Sequence, residues 1–331
     1  MRAIVADPGA ASLAVRQDPP TGAEEVLLRP RRVLLLAADH ALPSRRRGFL
    51  GVPGSCVVGV VERPADRLAD LARGTRVVID PVVPCGRCGH CRSGLAAVCP
   101  DRTVAGLRGR DGGLAELMAI PAANLHLLPD SIDDDRAAFA LPLGTAATLD
   151  RRLGLREEDL VTVLGDGAAA LLATAVMRTR LPRTRLLSDD PATARIAAQW
   201  SIRHRPLDEA GRRHDQDAVV LAEVSPRLLD AACGMLRPRG QLALMGDGVE
   251  PWHAGVLASL RRLEATVVLA GLGRVADGLA ILRRRAIDPL ALLRRRASLE
   301  DAVGLLLGAA PELDGTLVQI GHEPRIAAAR P

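Results

Sequence analysis

The chain opens with short apolar runs, Arg2 to Val5, Glu25 to Leu28, Val57 to Val61 and Arg76 to Ile79, set apart by Gly and Pro. Runs of that length between turn formers predict β-strands. From about residue 135 the texture changes. Strand-like Val161 to Leu164, Leu186–Leu187, Ala218 to Ala222 and Gln241 to Met245 alternate with helical Ala168 to Arg178, Ala192 to Trp200 and Pro226 to Leu236. Strand–helix alternation builds a parallel, doubly wound sheet. A late strand, Thr316 to Ile320, is placed to return to the first part of the chain. The expected protein is therefore α/β, and 331 residues are long for one core, so two domains are expected.

Composition narrows the class. Hydrophobic residues make up 48% and charged residues 25%, as in ordinary globular proteins. No apolar run approaches the roughly 20 residues of a membrane span. The first residues, with an early Asp7, read as a strand rather than a secretory leader, so the expected location is cytoplasmic. There is no lysine: all 44 basic residues are arginine, and aromatics are 1%. The net charge is +5, but the arginines are scattered among 39 acids, with no aromatic platforms for bases. Neither nucleic acid nor a membrane is an expected partner. The runs Arg45–Arg47, Arg283–Arg285 and Arg294–Arg296 read as solvated loops or helix ends.

Two motifs carry chemistry. Cys85, Cys88, Cys91 and Cys99 crowd into fifteen residues with Gly86, Gly89 and Gly94 at the turns. Four thiolates at this spacing complete a closed tetrahedral shell around a structural zinc. An iron–sulfur cluster or unliganded thiols are the alternatives. His90 is surplus to the shell, and Cys56 and Cys233 read as buried small residues. The second motif follows the strand Val161 to Leu164: Gly165-Asp166-Gly167-Ala168-Ala169-Ala170, or G-x-G-x-x-A. Gly165 makes the tight turn, Gly167 lets the backbone approach a diphosphate, and Ala170 permits close packing of helix on strand. Asp189 and Asp190, after the next strand, are the expected partners of the adenosine ribose, favouring NAD over NADP. Asp166 counts against the cofactor unless it points away, and a glycine turn that binds nothing is the bland alternative.

The combination resembles the zinc-type medium-chain dehydrogenase/reductase (alcohol dehydrogenase-like) family. Val82 to Cys91 with Cys99 resembles its cysteine lobe, and Asp111 to Glu116 its "DGGFAEY" segment. Asn124 to Asp130 resembles the crossover into the cofactor domain, and Leu236 to Leu242 the "LRPGGRLV" strand. The resemblance implies a GroES-like β domain over 1–135 carrying the lobe 85–99. A Rossmann-type dinucleotide domain is implied over 136–285, and a segment 286–331 that returns to the first domain. It also implies a small-molecule substrate and a homodimer or homotetramer, associated through the edge of the cofactor-domain sheet.

The departures fall on the catalytic zinc. Leu36 stands at the cysteine of "GICGTD", and Ala38 at its proton-relaying hydroxyl. Ser55 and Cys56 stand at the histidine and glutamate of "GHE", and Leu141 at the acid of "EPL". Thr316 occupies a late position where relatives often carry lysine. The catalytic zinc is expected to be absent, leaving Asp39 and His40 as polar candidates near the old cleft; as neighbours on one strand they would point to opposite faces and not both line it. Without that Lewis acid, simple alcohol–ketone interconversion loses several kcal/mol of transition-state stabilisation. Three outcomes stay open: an NAD(P)-dependent oxidoreductase acting on an activated acceptor such as an enone or quinone, a non-catalytic nucleotide-binding protein, or a scaffold.

Overall fold

The computed structural model describes residues 1–7, 9–36, 39, 49–65, 71–211, 213–245, 252–308 and 314–321. β1 (Arg2–Asp7) and β2 (Ala10–Val15) form an antiparallel hairpin. β3 (Glu25–Leu35), β4 (Cys56–Arg63) and β5 (Arg76–Ile79) run antiparallel in one sheet. β6 (Val82–Val83), the single-turn helix α1 (Gly89–Arg92), β7 (Thr103–Ala105) and β8 (Gly109–Arg110) build a small lobe beside it. β9 (Met118–Pro121) then pairs with β3, and β10 (Leu125–Leu127) with β5.

Side chains of a strand alternate between faces, and here the alternation divides two cores. Leu34, Cys56, Val58 and Val78 point into the core shared with the second half of the chain. Their neighbours Val33, Leu35, Val57, Val77 and Ile79 fill the sheet's own core. Cys56 thereby faces the second half.

α2 (Asp134–Ala137) and α3 (Ala140–Leu153) lead into the second sheet. There β11 (Val161–Leu164), α4 (Gly167–Arg178), β12 (Thr184–Leu187), α5 (Pro191–Gln199), β13 (His204–Arg205) and β14 (Gln216–Leu221) follow in turn. α6 (Pro226–Met235), β15 (Leu236–Leu244), α7 (Ala254–Arg262) and β16 (Thr266–Leu269) complete it. The six strands are parallel in the order β13-β12-β11-β14-β15-β16. Chain order reverses beside β11, which puts a crevice at the carboxyl ends of β11 and β14. All four residues of β11 are buried, as expected for a parallel strand covered on both faces.

After α8 (Val275–Arg283) come β17 (Arg295–Ala297), α9 (Leu299–Leu307) and β18 (Thr316–Gln319). β18 runs antiparallel to β3, with Thr316 opposite Leu35 and Gln319 opposite Arg32, and β17 lies parallel to β18. The chain therefore visits the first sheet twice. Among the described residues no helix is long and apolar enough to cross a membrane.

Arginines lock the junction between the halves. Asp135 accepts from Arg32 at 2.7 Å and pairs with Arg296 at 2.6 Å. Asp134 is held by Arg76 at 2.7 Å and Arg31 at 3.0 Å. The run Arg294–Arg296 is thus more than a solvated loop, since Arg294 also reaches Asp190 at 3.5 Å. Arg283–Arg285 is exposed as expected, and Arg45–Arg47 lies outside the described residues.

Burial raises the Asp135 carboxyl, but hydrogen bonds and charge from Arg296 and Arg32 outweigh it and hold the group below the usual carboxylate range. A depressed carboxylate contributes stability above its unfolded pKa and loses it as pH falls through the folded one. Asp135→Asn is therefore expected to lower the melting temperature at pH 7 by roughly 2–6 °C. Thermal melts from pH 7 down to about pH 3 should show that difference closing as the wild-type carboxylate is protonated.

Candidate functional site

The four cysteines converge. Cys88 Sγ lies 3.5 Å from Cys91 and 3.7 Å from Cys99, and Cys85 lies 4.0 Å from Cys91. All four sulfurs fall within 4.8 Å of one another, the one group of metal-ligating side chains among the described residues. A tetrahedral zinc with bonds of about 2.3 Å spaces its sulfurs about 3.8 Å apart. An iron–sulfur cluster sets iron and sulfide between its cysteines and holds them farther apart. The N–H groups of Arg87 and Cys88 bring the Cys85 thiol down to about 6. Desolvation and the neighbouring thiols push Cys91 up to about 12. A zinc ion among them would take these sulfurs as thiolates. The helical turn of α1 positions Cys88 and Cys91, and His90 is exposed beside them.

The other cleft is apolar. Cys56 and Leu141 are buried in the shared core, and Leu36 packs against that same cluster. Ser55 is buried beside Cys56. Burial first, and then the charge of Asp39, push the Cys56 thiol well up, so it stays protonated. Asp39 does not sit on a strand: β3 ends at Leu35, and Asp39 closes a turn in which its carboxylate accepts from Leu36 N–H at 2.8 Å. The expectation that Asp39 and His40 alternate along a strand is therefore corrected for Asp39. His40 and Ala38 lie outside the described residues.

The glycine turn forms where expected. Gly165 and Gly167 both take positive φ, +125° and +73°, which L side chains rarely adopt. α4 starts at Gly167, so its first N–H groups have no partner within the helix. They already have acceptors. Gly167 N–H donates to Thr193 Oγ1 at 2.8 Å, and Ala168 N–H donates to Asp314 Oδ2 at 2.9 Å. A Cβ at Gly167 would overlap that same Oδ2. Ala170, in the first turn of α4, is fully buried. Asp166 accepts from the Ser188 hydroxyl.

Asp189 and Asp190 have other work. Asp189 accepts from Leu207 N–H at 2.8 Å and pairs with Arg227 at 2.8 Å, which together hold its carboxyl low. Asp190 caps α5, accepting from Ala192 and Thr193 N–H at 3.2 and 2.9 Å. The residue directly after β12 is Ser188, one place earlier than the sequence reading put its acids. Sequence reasoning also missed Thr193 and Asp314. Thr193 had a signal in Asp190-Pro191, a helix start; Asp314 had none beyond an Asp-Gly turn before a strand.

Comparison with known proteins fits this geometry. Residues 22–130 match the alcohol dehydrogenase GroES-like domain. The chain is 30% identical over 264 residues to L-threonine 3-dehydrogenase of Anaeromyxobacter dehalogenans, covering 73% of this chain and 76% of that protein. The chain belongs to the zinc-type, medium-chain alcohol dehydrogenase family. This family member is also 26% identical over 261 residues to the starvation-sensing protein RspB of Escherichia coli, covering 75% and 77% of the two chains. Alcohol dehydrogenase TADH from Thermus sp. ATN1 superposes with a TM-score of 0.85 at 25% identity, over 97% of this chain and 100% of that one. RspB of Escherichia coli in complex with NADH has the same fold, with a TM-score of 0.84 at 22% identity over 97% and 99%. As a medium-chain dehydrogenase the chain is an oxidoreductase by family.

Gly167→Ala is expected to cost about 1–3 kcal/mol, from strain at positive φ and from the overlap with Asp314. Thermal melts of Gly167→Ala, Asp314→Ala and the double variant check this. The double variant should lose less than the sum of the singles, because the two residues touch.

Proposed function

We propose that this dehydrogenase-family chain keeps a structural zinc in its cysteine lobe and serves as an NAD(H)-linked oxidoreductase without a catalytic zinc, acting on an activated small acceptor. The observation that carries the reading is the apolar seam at Leu36, Cys56 and Leu141, where the described residues offer a second metal no shell. The zinc would be held by Cys85, Cys88, Cys91 and Cys99, would be structural, and would pin a lobe that has little apolar content of its own. When bound, a nicotinamide supplies or takes the hydride. The chain's own share is then to orient the dinucleotide along the Gly165–Ala170 turn and the end of β12, and to keep water from the cleft with Leu36 and Leu141. A conjugated enone or quinone suits such a site, because it delocalises developing charge that no metal is there to stabilise. The alternative is a nucleotide-binding or partner protein without catalysis. It draws support from Asp314, whose carboxylate holds a position that a diphosphate needs.

The edge strand β16 leaves Val267 39% and Leu269 61% exposed, which supports self-association through that edge into a homodimer or homotetramer. Light scattering behind size exclusion should report an oligomer that Leu269→Arg shifts toward monomer. A monomeric wild type would end that part of the reading.

Metal analysis on purified protein should find about one zinc per chain, lost together with thermal stability in Cys88→Ser. A second zinc would overturn the emptied-site reading. On the same sample, NADH turnover against enones, quinones and simple ketones should favour the conjugated acceptors. Measurable NADH binding with no acceptor reduced would leave the non-catalytic alternative.

A further inference from the structure

The N-terminus of α4 is occupied by the protein's own anion. Asp314 is 7% exposed, and its Oδ2 accepts from Ala168 N–H at 2.9 Å across 146 residues of sequence. Gly167, the residue whose missing side chain would admit a diphosphate, here makes room for that oxygen. Asp314 is built into place from its carboxyl side. Gly315 has φ +74°, and its Cα lies so close to Leu292 O that no Cβ would fit. Gly315 O accepts from Arg294 N–H at 3.0 Å, and Thr316 begins the strand zipped onto β3. The second free donor of the turn is also engaged, since Gly167 N–H is bound to Thr193, whose hydroxyl is held by Asp190 at 2.7 Å.

The surroundings add like charge. Glu223 lies against Gly165, and burial together with nearby Asp166 raises its carboxyl above the usual range. A diphosphate entering this turn would meet Asp314 at contact distance, with Asp166 and Glu223 beside it. An anion at a helix N-terminus is favourable, and the site holds one at a time.

We propose that Asp314 stands in for the dinucleotide diphosphate at the N-terminus of α4, so that a dinucleotide binds only by displacing the Asp314 carboxylate. This rests on the dinucleotide-site reading above. Asp314 then sets the affinity of the crevice: it stabilises the fold when the crevice is empty and competes with cofactor when it is not. Adenosine, which lacks the diphosphate, escapes the competition.

The test compares wild type, Asp314→Ala and the near-isosteric Asp314→Asn. NADH affinity is measured by calorimetry, adenosine binding by ligand-detected NMR, and folding by thermal melts. Asp314→Ala should bind NADH about tenfold more tightly or better, as expected for removing a like charge at a helix N-terminus. Asp314→Asn should fall between, with adenosine unchanged and both variants melting lower than wild type. If Asp314→Ala fails to fold, Asp314→Asn carries the comparison. Equal NADH affinity in all folded proteins would overturn the inference and leave the dinucleotide site standing. NADH and adenosine tightened alike would overturn it too, since general loosening and not charge competition would be the cause. No binding of NADH to any of them would sink both the inference and the reading beneath it.

Discussion

The antiparallel pairing of Thr316–Gln319 with Arg32–Leu35 is the constraint on which the rest of this molecule depends. It turns a linear order of β domain, parallel sheet and tail into one body with a shared core. It brings β17 alongside and carries Arg296 to Asp135, where Arg32 of the paired strand also binds. The same register fixes where the preceding residue falls. With Thr316 opposite Leu35 and Gly315 pressed on Leu292, Asp314 arrives at the start of α4. A local ladder of strand hydrogen bonds thus decides the electrostatics of a helix terminus in the other half of the chain.

The cysteine lobe and the seam between the domains are held together in opposite ways. The cysteine lobe has short strands, one helical turn and almost no buried apolar surface, so its sulfurs carry its shape. At the seam between the domains the reverse holds. Leu36, Cys56 and Leu141 join a large apolar cluster, and a thiol buried there stays neutral because a thiolate would be desolvated. The lobe has little packing of its own to hold it, whereas hydrophobic packing holds the seam.

Most of the architecture was legible in the sequence because it rests on local pattern. Val161–Leu164, Arg76–Ile79 and Pro226 onward form the elements their periodicity predicts, and the strand order follows once parallel pairing is granted. Boundaries failed where geometry changes without a composition signal. Leu236 reads as the last helical residue but begins β15, since α6 passes into the strand with no loop between. Asp189 and Asp190 read as ribose acids from their distance to the glycines. The fold also pairs one with Arg227 and makes the other the cap of α5, because an Asp before Pro at a helix start satisfies N–H groups that otherwise lack acceptors. Asp39 was placed on a strand that stops at Leu35. Asp314 was invisible for a different reason: its partner is 146 residues away, and no spacing rule spans that distance.

That separation has a consequence in time. The helix α4 and the turn before it can be complete once the chain has been made through β14, yet residue 314 is still to come. At a synthesis rate of about 5–20 residues per second, the stretch from the end of β14 at Leu221 to Asp314 takes roughly 5 to 20 seconds. During that interval the newly made domain presents an anion site with no resident occupant. A small anionic ligand in the surrounding fluid meets no rival there until the last strand docks. The finished protein is in this respect the less welcoming form, and its history of ligand encounter is written partly by the order in which its own residues appear.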